Sequence, residues 1–492
     1  MLRYIQDNWS KILKTIILLS ILARILFIFI TPIDAWSTDS SNHARLGKEI
    51  ATSNEIPTYD FYTIDFYHWA PPFFHLLEAF FYKILPSLKF FETISLIFGI
   101  STIFLSYLTF KALIGKDKSL LATFFLSIYP IHIRISTSIM SDAATLFFTF
   151  MVIYSIILLE RDKKNRNYAL LALSLGLLLL TKYIGLVVIG IVAVWVLIGK
   201  KDLKKYFIVF LLALLICAPW YLRNYLNVGT IFFWGDVEQV TGQMPIGILE
   251  KFGNLINLSI KNRLFLMANL YQYYMRFWDS IEFGEFKFRG IDTPAPFIDN
   301  ILLMYLIVSL PYFIFFIFGT NLKTKDDKFV ILWFFFYVLF SLYYFASWGL
   351  NFIPRVGLFA LPVFCYWFAN GVAKIKKYSS LIIMFLVLTG LMYISFEGLK
   401  LYVKNENEKL YDRSYEWVKE KTPRNSLIVS HQWAQVSLFS ERKTVFVLPN
   451  NTELYDDIYI YDRIKSDLKI GCRTPNCTLT YKDENVEIYK IK

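Results

Sequence analysis

Residues 161–224 read RDKKNRNYALLALSLGLLLLTKYIGLVVIGIVAVWVLIGKKDLKKYFIVFLLALLICAPWYLRN. Three apolar runs lie within this stretch, near 168–181, 183–199 and 206–220. A bilayer core takes about 20 apolar residues per helix, so the runs read as membrane spans. The links between them alternate in charge. Arg161, Lys163, Lys164 and Arg166 precede the first run, and Lys200, Lys201, Lys204 and Lys205 separate the second from the third. Lys182 alone divides the first two, and Arg223 follows the last. Cytoplasmic loops concentrate Lys and Arg, so the two basic clusters belong on the inside and the Lys182 and Arg223 ends on the outside.

The same pattern extends over the chain. Further runs fall near 12–31, 91–113, 119–133, 142–159, 297–319, 329–346, 355–373 and 379–397. With an inside N-terminus, the remaining inside loops carry Lys111, Lys116 and Lys118, then Lys323, Lys325 and Lys328, then Lys374, Lys376 and Lys377. Moving the register by a single helix would break this agreement. The first run follows Arg3, Lys11 and Lys14 and has no small-residue cleavage site after it, which makes it an anchor rather than a removed signal peptide.

The chain is therefore expected to be an all-α polytopic domain of about eleven transmembrane helices over residues 1–397, in a cell membrane. Its long outer loops are 32–90 and 221–296, and residues 398–492 follow as a small extracytoplasmic α/β domain. In that tail, 426–430, 444–448 and 486–491 are strand-like. Bulk properties agree, since 56% of the 492 residues are hydrophobic and mean hydropathy is +0.46, too apolar for a soluble protein of this length. The net charge of +12 sits in the short loops and not on a soluble face, which argues against nucleic acid as a partner.

Cys217 and Cys365 lie in apolar runs and read as buried hydrophobes. Cys472 and Cys477 stand close together in a polar stretch with no neighbouring His, a setting for a local disulfide in an oxidising compartment rather than for zinc. Asn450 and Asn476 begin glycosylation sequons in the same tail.

Ionisable residues gather on the outer side. Asp34 and Asp39 follow the first span, and Asp39 is placed to cap a helix carrying Ala44, Leu46, Ile50 and Ala51. On its own an Asp there is simply a favoured cap. His68 precedes Pro71-Pro72, which would start another helix holding Glu78 in an apolar setting. There an unpaired carboxylate is costly, and it either finds a partner or serves a site. The turn before the fourth span holds His132 and Arg134, and Asp142 opens that span as a second candidate cap. Lys182 either snorkels to the interface or serves a site. Arg223 and Arg355 face outward against the charge trend, and guanidinium groups bind phosphate bidentately. Cations beside carboxylates suit a phosphate leaving group and a general base.

Taken in order, these elements resemble the integral-membrane glycosyltransferases of the GT-C fold, in particular the protein O-mannosyltransferase and aminoarabinose-transferase group. The likeness rests on Asp39-Ser-Ser-Asn-His-Ala-Arg-Leu-Gly, on His68-Trp-Ala-Pro71-Pro72 with two residues inserted relative to the usual His-Pro-Pro, and on Tyr129-Pro130 through Asp142. It continues through Gly176 to Thr181-Lys182, through Pro219-Trp220-Tyr-Leu-Arg223-Asn224, through Arg355 with Leu361-Pro362, and into the tail at Glu416-Trp417-Val418. The resemblance implies inverting sugar transfer from a polyprenyl- or dolichyl-phosphate-linked donor to a protein, lipid or glycan acceptor. It implies Asp39 as the catalytic base with Asp34 the runner-up, Arg223, Lys182 and Arg355 as donor-phosphate ligands, and Asp142 and Glu78 as residues that orient the acceptor or hold a divalent cation. No spacing forces a metal. The rival reading is a transporter or flippase of an anionic or lipid-linked solute, although the hydropathy shows no inverted repeat. An oligosaccharyltransferase moving a whole glycan is a further rival, and the tail shows no acceptor-reading motif for it.

Overall fold

The structure, a computed structural model, describes residues 2–30, 38–57, 59–60, 66–67, 71–199, 202–228, 314–320, 324–348, 358–374, 411–431, 433–445, 455–464 and 477–491, with a few helical positions between 382 and 395. Among the described residues, ten helices run through the first 228 positions: α1 (Leu2–Ile30), α2 (Thr38–Ser53), α3 (Phe73–Ile84), α4 (Lys89–Ile114), α5 (Lys116–Ile128), α6 (Pro130–Ser136), α7 (Asp142–Arg161), α8 (Asn165–Thr181), α9 (Gly185–Ile198) and α10 (Leu203–Val228). A two-residue hairpin, β1 (Tyr59–Asp60) with β2 (Phe66–Tyr67), lies between α2 and α3. A long helix, α11 (Lys325–Trp348), and a shorter one, α12 (Leu361–Lys374), follow.

Among the described residues, four helices are long and apolar enough to cross a bilayer: Ser10–Phe29, Lys89–Ile114, Asp142–Arg161 and Leu203–Asn227. Gly185–Ile198 and Leu358–Lys374 are apolar but shorter. The expected spans at 297–319 and 379–397 fall largely outside the described residues, as does most of 221–296. The expected span at 119–133 is corrected to two helices. Pro130 forces the break: a residue before proline is pushed out of the helical region, and Tyr129 is extended at φ −65° and ψ 120°. With 13 residues, α5 reaches only about 20 Å at 1.5 Å per residue, and α6 continues the chain beyond the break.

Burial sorts the helices. α7 is 78% buried and forms the centre, whereas α1 and α10 are 28% and 33% buried and lie outermost. Leu18, Leu22, Leu26 and Phe29 on α1, and Phe207, Leu214, Leu215 and Leu222 on α10, point outward. Such contiguous apolar surface suits contact with lipid. Buried hydroxyls in the central helices return to their own backbone, as Thr145, Thr149 and Ser155 do on α7, because no water is at hand to satisfy them. Where burial no longer separates helices from water, close approach supplies the attraction. Gly176 provides it between α8 and α10, since a Cβ there would lie 2.8 Å from the Ile216 Cβ.

The described parts of the five basic loops lie at one end of the bundle. Arg161 donates to the Ala112 carbonyl, Lys325 pairs with Glu160, Lys205 stands over the Tyr168 ring at 5.3 Å, Lys118 donates to Asn370 at 2.9 Å, and Lys374 donates to the Phe318 carbonyl at 2.6 Å. The Lys182 end of α8 and the Arg223 end of α10 lie at the other.

The tail carries α13 (Asp412–Lys421), β3 (Leu427–Val429), α14 (Trp433–Ser440), β4 (Lys443–Val445), β5 (Ile458–Arg463), β6 (Cys477–Lys482) and β7 (Val486–Ile491). The strands form one mixed sheet in the order β4-β3-β5-β7-β6. β3 pairs in parallel with β4 and β5, the α14 crossover supplying the connection that a parallel pair requires. β7 runs antiparallel to β5 and β6. Tyr415, Val418, Ile428, Val436, Tyr461 and Ile488 fill the space between helices and sheet. α14 packs on α2, and the Glu441 carboxylate beyond it accepts from Lys48 of α2 at 2.8 Å and pairs with Lys419 of α13 at 3.1 Å. These bonds, with Lys48 the stronger, hold the Glu441 carboxyl below its ordinary value.

Candidate active site

Four elements meet at the end of the bundle opposite the basic loops: α2, α3, the end of α8 and the end of α10. Ile56, just past α2, packs with Ile50, Ala51 and Ala79 on one side and with Leu179, Cys217, Trp220 and Tyr221 on the other. The Arg223 guanidinium donates to the Pro57 carbonyl at 2.8 Å and lies over the Trp220 ring, 4.7 Å from its centroid. The segment leaving α2 is thus clamped to the tip of α10.

α2 begins at Thr38, so Asp39 stands in the helix's first turn rather than at the cap expected from the sequence. The cause is local: Thr38 already joins the helix. Asp34, His68 and Arg355 lie outside the described residues, as does the Asp39 side chain. Asp142 is also not a cap. Ser141 occupies that place without a side-chain cap bond, and the Asp142 Oδ1 accepts from the Lys182 ammonium at 2.7 Å. Lys182 ends α8 in an extended conformation, φ −160° and ψ 142°. This turns its side chain back toward the start of α7, so that it pairs rather than simply snorkelling. Asp142 is buried and Lys182 is 30% exposed, leaving one face of the ammonium open.

Glu78 of α3 is fully buried. Its Oε2 lies 3.0 Å from His75 Nδ1, one turn earlier. Burial holds this carboxyl well above the usual carboxylate range. His75 Nε2 in turn lies 3.4 Å from His43 Nδ1 on α2, with the rings stacked at 4.8 Å and 29°. Gly47 makes this crossing possible, because a Cβ there would lie 2.5 Å from the Glu78 Cβ and 2.9 Å from its Oε2.

The structure does not bring every candidate together. His132 is buried against α1, where Arg24 Nη2 donates to its Nδ1 at 3.0 Å and to the Ser127 carbonyl at 2.8 Å, so it joins α1 to α5 and α6. Arg134 stands in the last turn of α6. Among the described residues, no group of three or more His, Cys, Asp or Glu is arranged to hold a metal. Glu78 is engaged with an imidazole and Asp142 with an ammonium. His43 and His75 escape a reading by residue type alone. Their signal is spacing: His43 follows Asp39 by four residues and His75 precedes Glu78 by three, which places each pair on one helix face.

Residues 70–222 match the dolichyl-phosphate-mannose-protein mannosyltransferase family. Those residues run from just before α3 into α10 and end one position before Arg223. No curated protein matches the sequence. ArnT from Cupriavidus metallidurans bound to undecaprenyl phosphate superposes with a TM-score of 0.64 at 9% identity, covering 97% of this chain and 97% of that one. The Archaeoglobus fulgidus oligosaccharyltransferase in its apo form gives 0.55 at 14% identity over 94% of this chain and 70% of that one. The archaeal oligosaccharyltransferase AglB from the same organism, in complex with an inhibitory peptide and a dolichol-phosphate, gives 0.52 at 15% identity over 90% and 64%. These likenesses concern the fold, which runs through nearly the whole chain.

Proposed function

We propose that this chain is a GT-C-fold glycosyltransferase of the protein-mannosyltransferase and ArnT type that catalyses inverting transfer of one sugar from a polyprenyl- or dolichyl-phosphate donor to an acceptor hydroxyl or phosphate at the outer membrane face. The observation that carries this reading is the convergence of α2, which bears Asp39, with Lys182 and Arg223 at the end opposite the basic loops. The N-terminus and the basic loops are then cytoplasmic and the tail extracytoplasmic. The disulfide of Cys477, whose partner lies outside the described residues, supports an oxidising side for the tail. The ligands of the superposed ArnT and AglB structures, undecaprenyl phosphate and a dolichol-phosphate, support a lipid-phosphate donor.

In the step itself the Asp39 carboxylate takes the acceptor proton as the acceptor oxygen bonds to the anomeric carbon. The carbon–oxygen bond to phosphate breaks, and its electron pair leaves on the polyprenyl phosphate. Arg223, Lys182 and Arg355 bind that phosphate, and their charge counts for most as negative charge accumulates on it. Asp142 acts by aiming Lys182.

The test is release of polyprenyl phosphate from a panel of radiolabelled dolichyl- and undecaprenyl-phosphate sugars, with delipidated membranes as the acceptor source. Asp39→Asn is expected to stay folded and lose release by at least about 100-fold. Wild-type turnover in that variant, or donor movement across vesicles by wild-type protein without any release, would overturn the reading.

A further inference from the structure

A buried carboxyl and imidazole at a helix crossing need a reason. Taking a carboxyl and an imidazole out of water is costly, and an apolar pair of the same volume usually serves stability as well or better. Glu78 and His75 are both fully buried, at the point where α3 crosses the helix that carries Asp39. The Oε2 of Glu78 is committed to His75, and its Oε1 has no hydrogen-bond partner among the described residues. The arrangement is also directional. It runs from a sealed carboxyl, through His75, to His43, which is half-buried and stands one helical turn after Asp39. Phe74 closes the other side of the His43 ring at 5.6 Å, edge-on. The absence of a Cβ at Gly47 lets the Glu78 side chain lie directly on the α2 backbone. The crossing therefore fixes an imidazole one helical turn after Asp39 more firmly than α2 could alone.

We infer that Glu78 and His75 are positioning residues that act through His43 to set the orientation of the Asp39 turn for acceptor deprotonation. The inference rests on the transfer reading above. Glu78 then neither touches the acceptor nor holds a cation. Its bond to His75 Nδ1 selects the ring orientation, and the 3.4 Å approach and stacking of the two rings pass that orientation to α2. Small displacements of a catalytic group lower turnover without weakening donor binding.

Two substitutions cut the link at different places. His75→Asn keeps a donor for Glu78 and removes the ring that meets His43. His43→Phe keeps the stack and removes the nitrogen. In the full-length protein in detergent, with release from dolichyl-phosphate mannose or undecaprenyl-phosphate sugars as the readout, each is expected to lower kcat roughly 10- to 100-fold. Donor KM should stay within about twofold and the melting temperature should be unchanged. The double variant should be no worse than either single one, because both break one connection. Wild-type kcat in a folded His43→Phe, or multiplicative losses in the double variant, overturns the inference. Asp39→Asn measured alongside separates the two failures. If it is inactive while His43→Phe and His75→Asn are unimpaired, only the positioning role falls. If it turns over normally, the transfer reading falls with it.

Discussion

Replacing Lys182 by Met while Asp142 remains would leave a carboxylate buried at the head of α7 with its cation removed. Asp142 is 3% exposed and its Oδ1 meets Lys182 Nζ at 2.7 Å, whereas Lys182 keeps 30% exposure. Breaking a fully buried pair from one side costs about 3–5 kcal/mol. Water on the ammonium side screens part of that, so Lys182→Met is expected to lose about 2–3 kcal/mol. Asp142→Asn keeps an oxygen at the same place and removes the charge, for about 1 kcal/mol. In the double variant no charge is buried, so the losses should fall short of additive by about 1–2 kcal/mol. The assay is a double-mutant cycle on equilibrium unfolding in mixed micelles, followed by tryptophan fluorescence. A coupling below about 0.5 kcal/mol would refute the argument, since it would mean that the pair contributes nothing beyond two independent surface charges. Both single variants should also weaken release of polyprenyl phosphate, Lys182→Met through donor KM as well as kcat.

Trp333 donates from its buried indole to the Phe359 carbonyl at 2.7 Å, so Trp333→Phe should cost about 1–3 kcal/mol in melting experiments by leaving that carbonyl unpaired. Gly176→Leu should separate α8 from α10 and cost at least about 1–3 kcal/mol, seen as a lower melting temperature in detergent. The Glu441 carboxyl is held low by its bond from Lys48, so its contribution to docking the tail on α2 is present above its unfolded value and fades as pH falls through the folded one. Hydrogen exchange in α2 should rise on acidification in wild type and be high throughout in Lys48→Met. Reduction of the Cys477 disulfide should loosen the β6 edge of the sheet and raise exchange in β6 before it affects the helices.

Sequence alone marked the membrane character, the alternation of charged ends and strand-like runs at 426–430, 444–448 and 486–491, which overlap the strands at 427–429, 443–445 and 486–491, because hydropathy and Lys/Arg bias act locally and need no knowledge of neighbours. It also marked Asp39, Asp142, Lys182 and Arg223 as ionisable groups at one end of the bundle. The partners were decided only by packing. Nothing in residue order says that Asp142 takes Lys182 forty positions away, that Arg223 reaches back to Pro57, or that His132 turns to Arg24 and leaves the site. The Glu78–His75–His43 crossing depends on a glycine whose meaning appears only when α3 is laid across it. A charged side chain in an apolar bundle must find a partner, so chemistry fixes the need, and the helix crossings determine which residue answers it.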